Sequence, residues 1–152
     1  MKINIREFKP EDKRKILELE REGLLPFFEK HVKGGLPIST EERWLNECLT
    51  FGFVETIEIE KKFVGFISCK PLSKGVLYVN GLHIKKEFQN NGIGQEVMMY
   101  LFEKAKNLKY KDMSLYVFKD NHVSLHLYEK WGFVFYRDIE EEYTFELRKK
   151  LN

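Results

Sequence analysis

Apolar and polar residues alternate at the start of the chain. Ile3, Ile5 and Phe8 fall on one side of residues 2 to 8, which predicts a strand with one buried face ended by Pro10. The period then changes. Pro10, the acids Glu11 and Asp12, and apolar residues at Ile16, Leu17 and Leu19 predict a helix to about Glu22, with Gly23 as its breaker. Leu24 to Lys33 reads as a short helix or irregular arm ending in Gly34-Gly35, and it could wall a substrate site. Ser39-Thr40-Glu41-Glu42 resembles an N-cap and first turn, and Trp44, Leu45, Cys48 and Leu49 give the next helix its apolar stripe.

From residue 53 the pattern becomes strand-like. Residues 53 to 59 and 63 to 69 are rich in β-branched and aromatic residues, and the polar Glu60-Lys61-Lys62 between them predicts a hairpin. A turn over Pro71 to Gly75 leads into a third strand, residues 76 to 84, in which Gly81 marks a bulge. On plain alternation Tyr78, Asn80 and Leu82 share one face and His83 takes the other, unless the bulge re-aims it. Apolar residues from Ile93 to Ala105 recur at helical spacing, and Met113 to Val117 alternate, so this stretch is a β-α-β unit. A helix over 121 to 130, a stop at Gly132 and two closing strands at 133 to 136 and 142 to 147 complete the chain.

With 152 residues, 43% hydrophobic and 33% charged, the chain is expected to form a single domain spanning 1–152. Lys and Arg total 26 against 24 Asp and Glu, so composition supplies no electrostatic case for nucleic acid or membrane. The N-terminus lacks the apolar core of a signal peptide, and the expected location is cytoplasmic. Cys48 and Cys69 form no C-x-x-C pair and read as reduced packing residues.

The chemically informative segment runs from Leu82 to Gly94, where a strand end, a turn and a helix start follow one another. Such a junction offers unpaired N–H groups and the positive end of a helix dipole to an anion, and glycines allow close approach. No Gly-Lys-Ser/Thr follows, so a P-loop is excluded; Gln95-Glu96-Val97 after Gly92-Ile93-Gly94 fits a dinucleotide fingerprint poorly.

Gln89-Asn90-Asn91-Gly92-Ile93-Gly94 resembles the Q/R-x-x-G-x-G/A acyl-coenzyme A loop of the GNAT superfamily of N-acetyltransferases. A second segment, Asn121 to Phe133, resembles that family's Asn, small residue, Tyr, Gly-Phe pattern, and the element order is similar along the whole chain. Asn90 stands where the family often has glycine directly after Gln or Arg, with Asn91 next, and both residue types tolerate left-handed turns.

The resemblance implies a mixed α/β fold with a central, mostly antiparallel sheet of six to seven strands and helices on both faces. It implies acetyl transfer from acetyl-CoA, a substrate rather than a resident cofactor, to a primary amine in a ternary complex. Cofactor contacts would come from Leu82, His83 and Ile84, the loop Gln89, Asn90, Asn91, Gly92, Ile93, Gly94 and Gln95, and Asn121, Ser124 and Tyr128. Tyr128 would protonate the departing thiolate. Residues 76 to 84 hold no carboxylate, where family members often place a glutamate base. His83 is the base named from this strand, with Glu29 and His31 behind it.

Phe27, Phe28, Tyr78 and Asn80 are the expected substrate contacts. His122 and His126 lie four apart without a further ligand nearby, so no metal is expected. The expected partner is a small-molecule or peptide amine, without nucleic acid or membrane, for a monomer or homodimer. The rival reading is a non-catalytic acyl-CoA-binding sensor.

Overall fold

The computed structural model describes residues 2–152. Its first half contains strand β1 (Ile3–Glu7), helices α1 (Lys13–His31) and α2 (Ile38–Phe51), and strands β2 (Phe53–Ile59) and β3 (Lys62–Ser73). Its second half contains β4 (Val76–Ile84), α3 (Ile93–Asn107), β5 (Asp112–Phe118), α4 (His122–Lys130), β6 (Val134–Ile139) and β7 (Thr144–Lys150). The strands form one seven-stranded sheet in the order β1-β2-β3-β4-β5-β7-β6. Neighbours are antiparallel except β4 and β5, which run parallel because α3 carries the chain back across the sheet.

Both faces of the sheet are covered. On one, Val97, Met98, Leu101 and Ala105 of α3 pack with Leu77, Val79, Met113 and Leu115. On the other, Ile16 and Leu19 of α1 and Leu45 and Cys48 of α2 pack on Val54 and Phe66. Each fully buried large apolar side chain contributes roughly 1.5–3 kcal/mol. Cys48 and Cys69 are buried free thiols, and burial pushes the Cys48 thiol up to about 12.

Four details depart from the sequence-based expectations. Helix α1 does not stop at Gly23 but continues through Pro26 to His31. Pro26 removes one helical bond at Glu22, which is exposed to water and can satisfy its carbonyl there. Helix α2 begins at Ile38 with Pro37 as its N-cap and no side-chain cap, so Ser39 and Thr40 lie inside the first turn. Strand β3 runs past Pro71 to Ser73. That is permitted because β2 pairing ends at Phe53↔Cys69, leaving the Pro71 nitrogen on an open edge.

The fourth departure shapes the site. Ser68 pairs with Gly81 but Cys69 pairs with Val79, so Asn80 is an extra, bulged residue. The bulge reverses the face of everything after it. Leu82 and Ile84 join the α3-side core. His83 stacks on Phe66 under α1, at 5.3 Å between ring centroids, on the side to which Asn80 also turns. The plain alternation that grouped Leu82 with Tyr78 and Asn80 is therefore corrected.

Candidate functional site

The parallel pair β4 and β5 holds together for three rungs only, Val76↔Asp112, Leu77↔Met113 and Tyr78↔Ser114. Beyond Tyr78, β4 continues with β3 as far as Gly65↔Ile84, while β5 continues with β7 as far as Phe118↔Thr144. The two strands therefore part, and their facing edges carry backbone donors and acceptors with no strand between them. A buried ion network fixes β5 on the β7 side of this split. The Glu146 carboxylate accepts from Ser114 at 2.7 Å, Arg137 at 2.7 Å and Arg148 at 2.6 Å. Burial is the largest single effect on this carboxylate and raises its pKa, but the three bonds together outweigh it and hold the pKa below the usual range.

At the open end of the split the chain turns into α3. Gln89 donates from its side chain to the Ile84 carbonyl at 2.9 Å, tying the loop to the end of β4. Asn90 takes a left-handed φ of 64°, the geometry its residue type tolerates, and Gly92 follows as the N-cap at φ 78°. The first helical bond runs from Glu96 N–H to the Gly92 carbonyl at 3.1 Å. The N–H groups of Ile93, Gly94 and Gln95 precede it and lie outside the helical ladder. Buried Ile93 anchors the helix start, and a β-carbon at Gly92 would have nothing within 4 Å beyond its chain neighbours. This is a cradle open to an anion, with fixed N–H donors and the positive helix end behind it.

Helix α4 closes the α3 side. Asn121 caps it, its Oδ1 accepting from Ser124 N–H at 3.2 Å, so its amide NH2 remains a free-facing donor. Tyr128, one turn further, packs edge-on against Trp131 and Phe133 and belongs to the same cluster as Leu82, Leu115 and Val117. Burial alone pushes its hydroxyl up to about 12, so it is protonated at neutral pH.

On the other side of the sheet, α1 lies along the split. Gly23 sits over His83, and a β-carbon there would fall 2.8 Å from His83 Nδ1. Glycine is at 23 for this close approach rather than to end the helix. Burial lowers His83 to about 4, so its ring is neutral at pH 7. Further along α1, Phe27 stacks on Phe118 at 5.5 Å and Phe28 meets the same ring edge-on. Tyr78 and Tyr116 pair at 5.2 Å nearer the apex. His31 bonds Asp120 at 2.8 Å and stacks on Tyr143 at 4.2 Å. Hydrogen bonds from Lys30 and then His31 lower Asp120 to about 2.

Thus the structure brings Tyr78, Asn80, His83, Phe27 and Phe28 together on the α1 face, and the glycine loop, Leu82 and Tyr128 on the α3 face. Glu29 is exposed, and His31 is committed to Asp120. Two features escaped the sequence reading. Glu20 is 2% exposed beneath Asn80, and Phe118 is the ring on which Phe27, Phe28 and His31 converge. Glu20 was detectable in principle, because it occupies the buried stripe of α1 between Ile16 and Gly23. His122 and His126 are both exposed.

Comparison with known proteins matches the family model described as "Acetyltransferase (GNAT) family" to residues 16–133. The chain belongs to the GNAT acetyltransferase family. No curated protein matches it. Solved structures share the fold. A PaiA N-acetyltransferase from Thermoplasma acidophilum in complex with coenzyme A has a TM-score of 0.75 and 23% identity, over 99% of both chains. A GNAT-family acetyltransferase from Staphylococcus aureus Mu50 has a TM-score of 0.81 and 16% identity, over 99% of this chain and 100% of that one. A ribosomal-protein-alanine N-acetyltransferase from Brucella melitensis has a TM-score of 0.76 and 17% identity, over 97% and 99%. The seven-stranded, mostly antiparallel sheet with helices on both faces is the fold that the resemblance implied.

Proposed function

We propose that this GNAT chain is an acetyl-CoA-dependent N-acetyltransferase that passes acetyl to a primary amine by direct attack in a ternary complex. The observation that carries the reading is the β4–β5 split, opening onto the Gly92 cradle at one end and flanked by the protonated Tyr128. Gln89 to Gln95 hold the pyrophosphate through backbone N–H groups, and Asn121 with Ser124 borders the pantetheine arm. Leu82 to Ile84 offer the arm a strand edge, and Ile84 keeps its carbonyl on Gln89.

The chemistry divides between the two faces. The amine nitrogen attacks the thioester carbonyl from the α1 face, where Tyr78, Asn80, Phe27 and Phe28 hold the acceptor. A backbone N–H next to the Asn80 bulge, at Leu82, stabilises the oxyanion as it forms. The carbon–sulfur bond then breaks and the thiolate takes the Tyr128 proton. His83, neutral and near 4, is too weak to strip a free alkylammonium. It receives the nitrogen's proton only once the new C–N bond has made that nitrogen acidic. The acceptor therefore enters as the neutral amine, and turnover rises with pH as more of it is deprotonated.

A sensor that binds acyl-CoA without turnover is the second reading, favoured by the absence of a carboxylate on β4. Thiol release decides between them. Purified protein is given acetyl-CoA and, separately, 2-phenylethylamine, 1,4-diaminobutane or a tripeptide with a free α-amine. Release that depends on the amine supports catalysis; binding without release from any of the three supports the sensor. In the same assay Tyr128→Phe is expected to bind acetyl-CoA as tightly as the parent while kcat falls about 10- to 100-fold. An unchanged kcat removes the acid role from Tyr128.

A further inference from the structure

The bulge at Asn80 does more than reverse a face. Asn80 is the second residue past the last shared rung, Tyr78↔Ser114, so it stands at the apex where β4 and β5 part. Its amide nitrogen donates to two buried groups, Glu20 Oε1 at 3.4 Å and Ser68 Oγ at 3.3 Å. Both acceptors lie on one side, Glu20 2% and Ser68 1% exposed. With both N–H bonds given to buried groups, the carbonyl Oδ1 of the half-buried Asn80 is the polar atom left to face the apex.

Among the described residues no cation pairs with Glu20. Its neighbour Arg21 is turned to Glu41 on α2, and Lys70 is paired with Glu47. The titratable groups facing Glu20 are Glu41 and Cys48 from α2 and Tyr78 from β4, with His83 a turn away beneath Gly23. None of them supplies a positive charge at neutral pH. A carboxyl group buried among neutral and acidic neighbours is costly unless its position is used.

We infer that Glu20 is a positioning residue for the acceptor: with Ser68 it fixes the Asn80 side chain so that Oδ1 accepts an N–H from the amine at the apex of the split. That bond leaves the nitrogen lone pair free to point at the thioester carbonyl. The inference rests on the acetyl-transfer reading and names the residues that orient its second substrate. Burial first, and Glu41 second, push Glu20 up to about 8. Below that pH the protonated carboxyl keeps one acceptor oxygen for Asn80, and the apex carries no charge that would favour ammonium over amine.

The test uses whichever of the three panel amines turns over fastest, with Asn80→Ala, Glu20→Leu, Glu20→Gln and the double variant Glu20→Leu/Asn80→Ala. Asn80→Ala is expected to lower kcat/KM for the amine about 10- to 100-fold, with the acetyl-CoA dissociation constant unchanged. Glu20→Leu lowers it similarly, and the double variant is no worse than Asn80→Ala alone. Glu20→Gln, which keeps an acceptor oxygen, restores activity at pH 7. In the parent, the Asn80 side-chain amide resonances follow an inflection near pH 8 that Glu20→Gln abolishes. That signal needs no acceptor and does not depend on the fold of the leucine variant. Additive losses in the double variant, an unchanged kcat/KM in Glu20→Leu, or an Asn80 signal indifferent to Glu20 each overturn the inference. Wild-type protein that binds acetyl-CoA but acetylates none of the amines instead overturns the reading on which it rests.

Discussion

Glu20→Gln is expected to melt at a higher temperature than the parent at pH 9 and at nearly the same temperature at pH 5. Glu20 is 98% withdrawn from solvent, its own exposure being 2%, and its folded pKa is about 8 against an ordinary value of 4.5. The folded state thus holds a proton that the unfolded state has already released. Stability conferred by the protonated carboxyl is complete below about 4.5, falls as the pH rises through the window between the two values, and is gone above about 8. The difference is worth at most about 5 kcal/mol at alkaline pH, or roughly 10–20 °C in a chain of this size. A glutamine does not titrate and does not undergo this loss, so the gap between the two melting curves opens as the pH rises. Parallel curves from pH 5 to 9 would show that the Glu20 carboxyl is not held protonated.

The second large effect concerns the cradle. Gly92→Glu places a β-carbon at φ 78°, which costs about 1–2 kcal/mol, in space where it meets no protein atom. The fold should therefore lose only a few degrees. The same side chain fills the anion site and adds a like charge, so acetyl-CoA binding should weaken at least about 100-fold, close to 2.7 kcal/mol. Gly94→Ala is the matched control. Its β-carbon would sit 3.5 Å from the Trp131 ring, an ordinary contact, so binding should be near that of the parent. Calorimetric titration with acetyl-CoA measures both, and equal affinities for Gly92→Glu and the parent would place the pyrophosphate elsewhere.

Elements with one strong signal were legible in the sequence. Helix α3 follows from its apolar spacing, the β2–β3 hairpin from two β-rich runs, and the turn before α3 from a glycine pair at a strand-to-helix junction. What stayed hidden was decided by tertiary contacts. Gly23 reads as a breaker, yet α1 passes through it because it lies close against His83, and continues through Pro26, which loses a bond only at an exposed turn. The bulge was signalled by Gly81, but that it makes Asn80 the extra residue depends on pairing with β3. One residue of register then exchanged the neighbours of Leu82 and His83. Glu20 was passed over because a glutamate in a helix reads as solvated, and only its place on the buried stripe of α1 marks it otherwise.

The most direct test of the central claim is thermal unfolding with and without acetyl-CoA. At about 100 times the dissociation constant, a ligand bound to the folded state alone stabilises by about 2.7 kcal/mol, or roughly 5–10 °C here. A rise of that size, absent in Gly92→Glu, is the expected result. An unchanged melting temperature at millimolar acetyl-CoA would contradict it, leaving the glycine loop an ordinary turn and the split without its substrate.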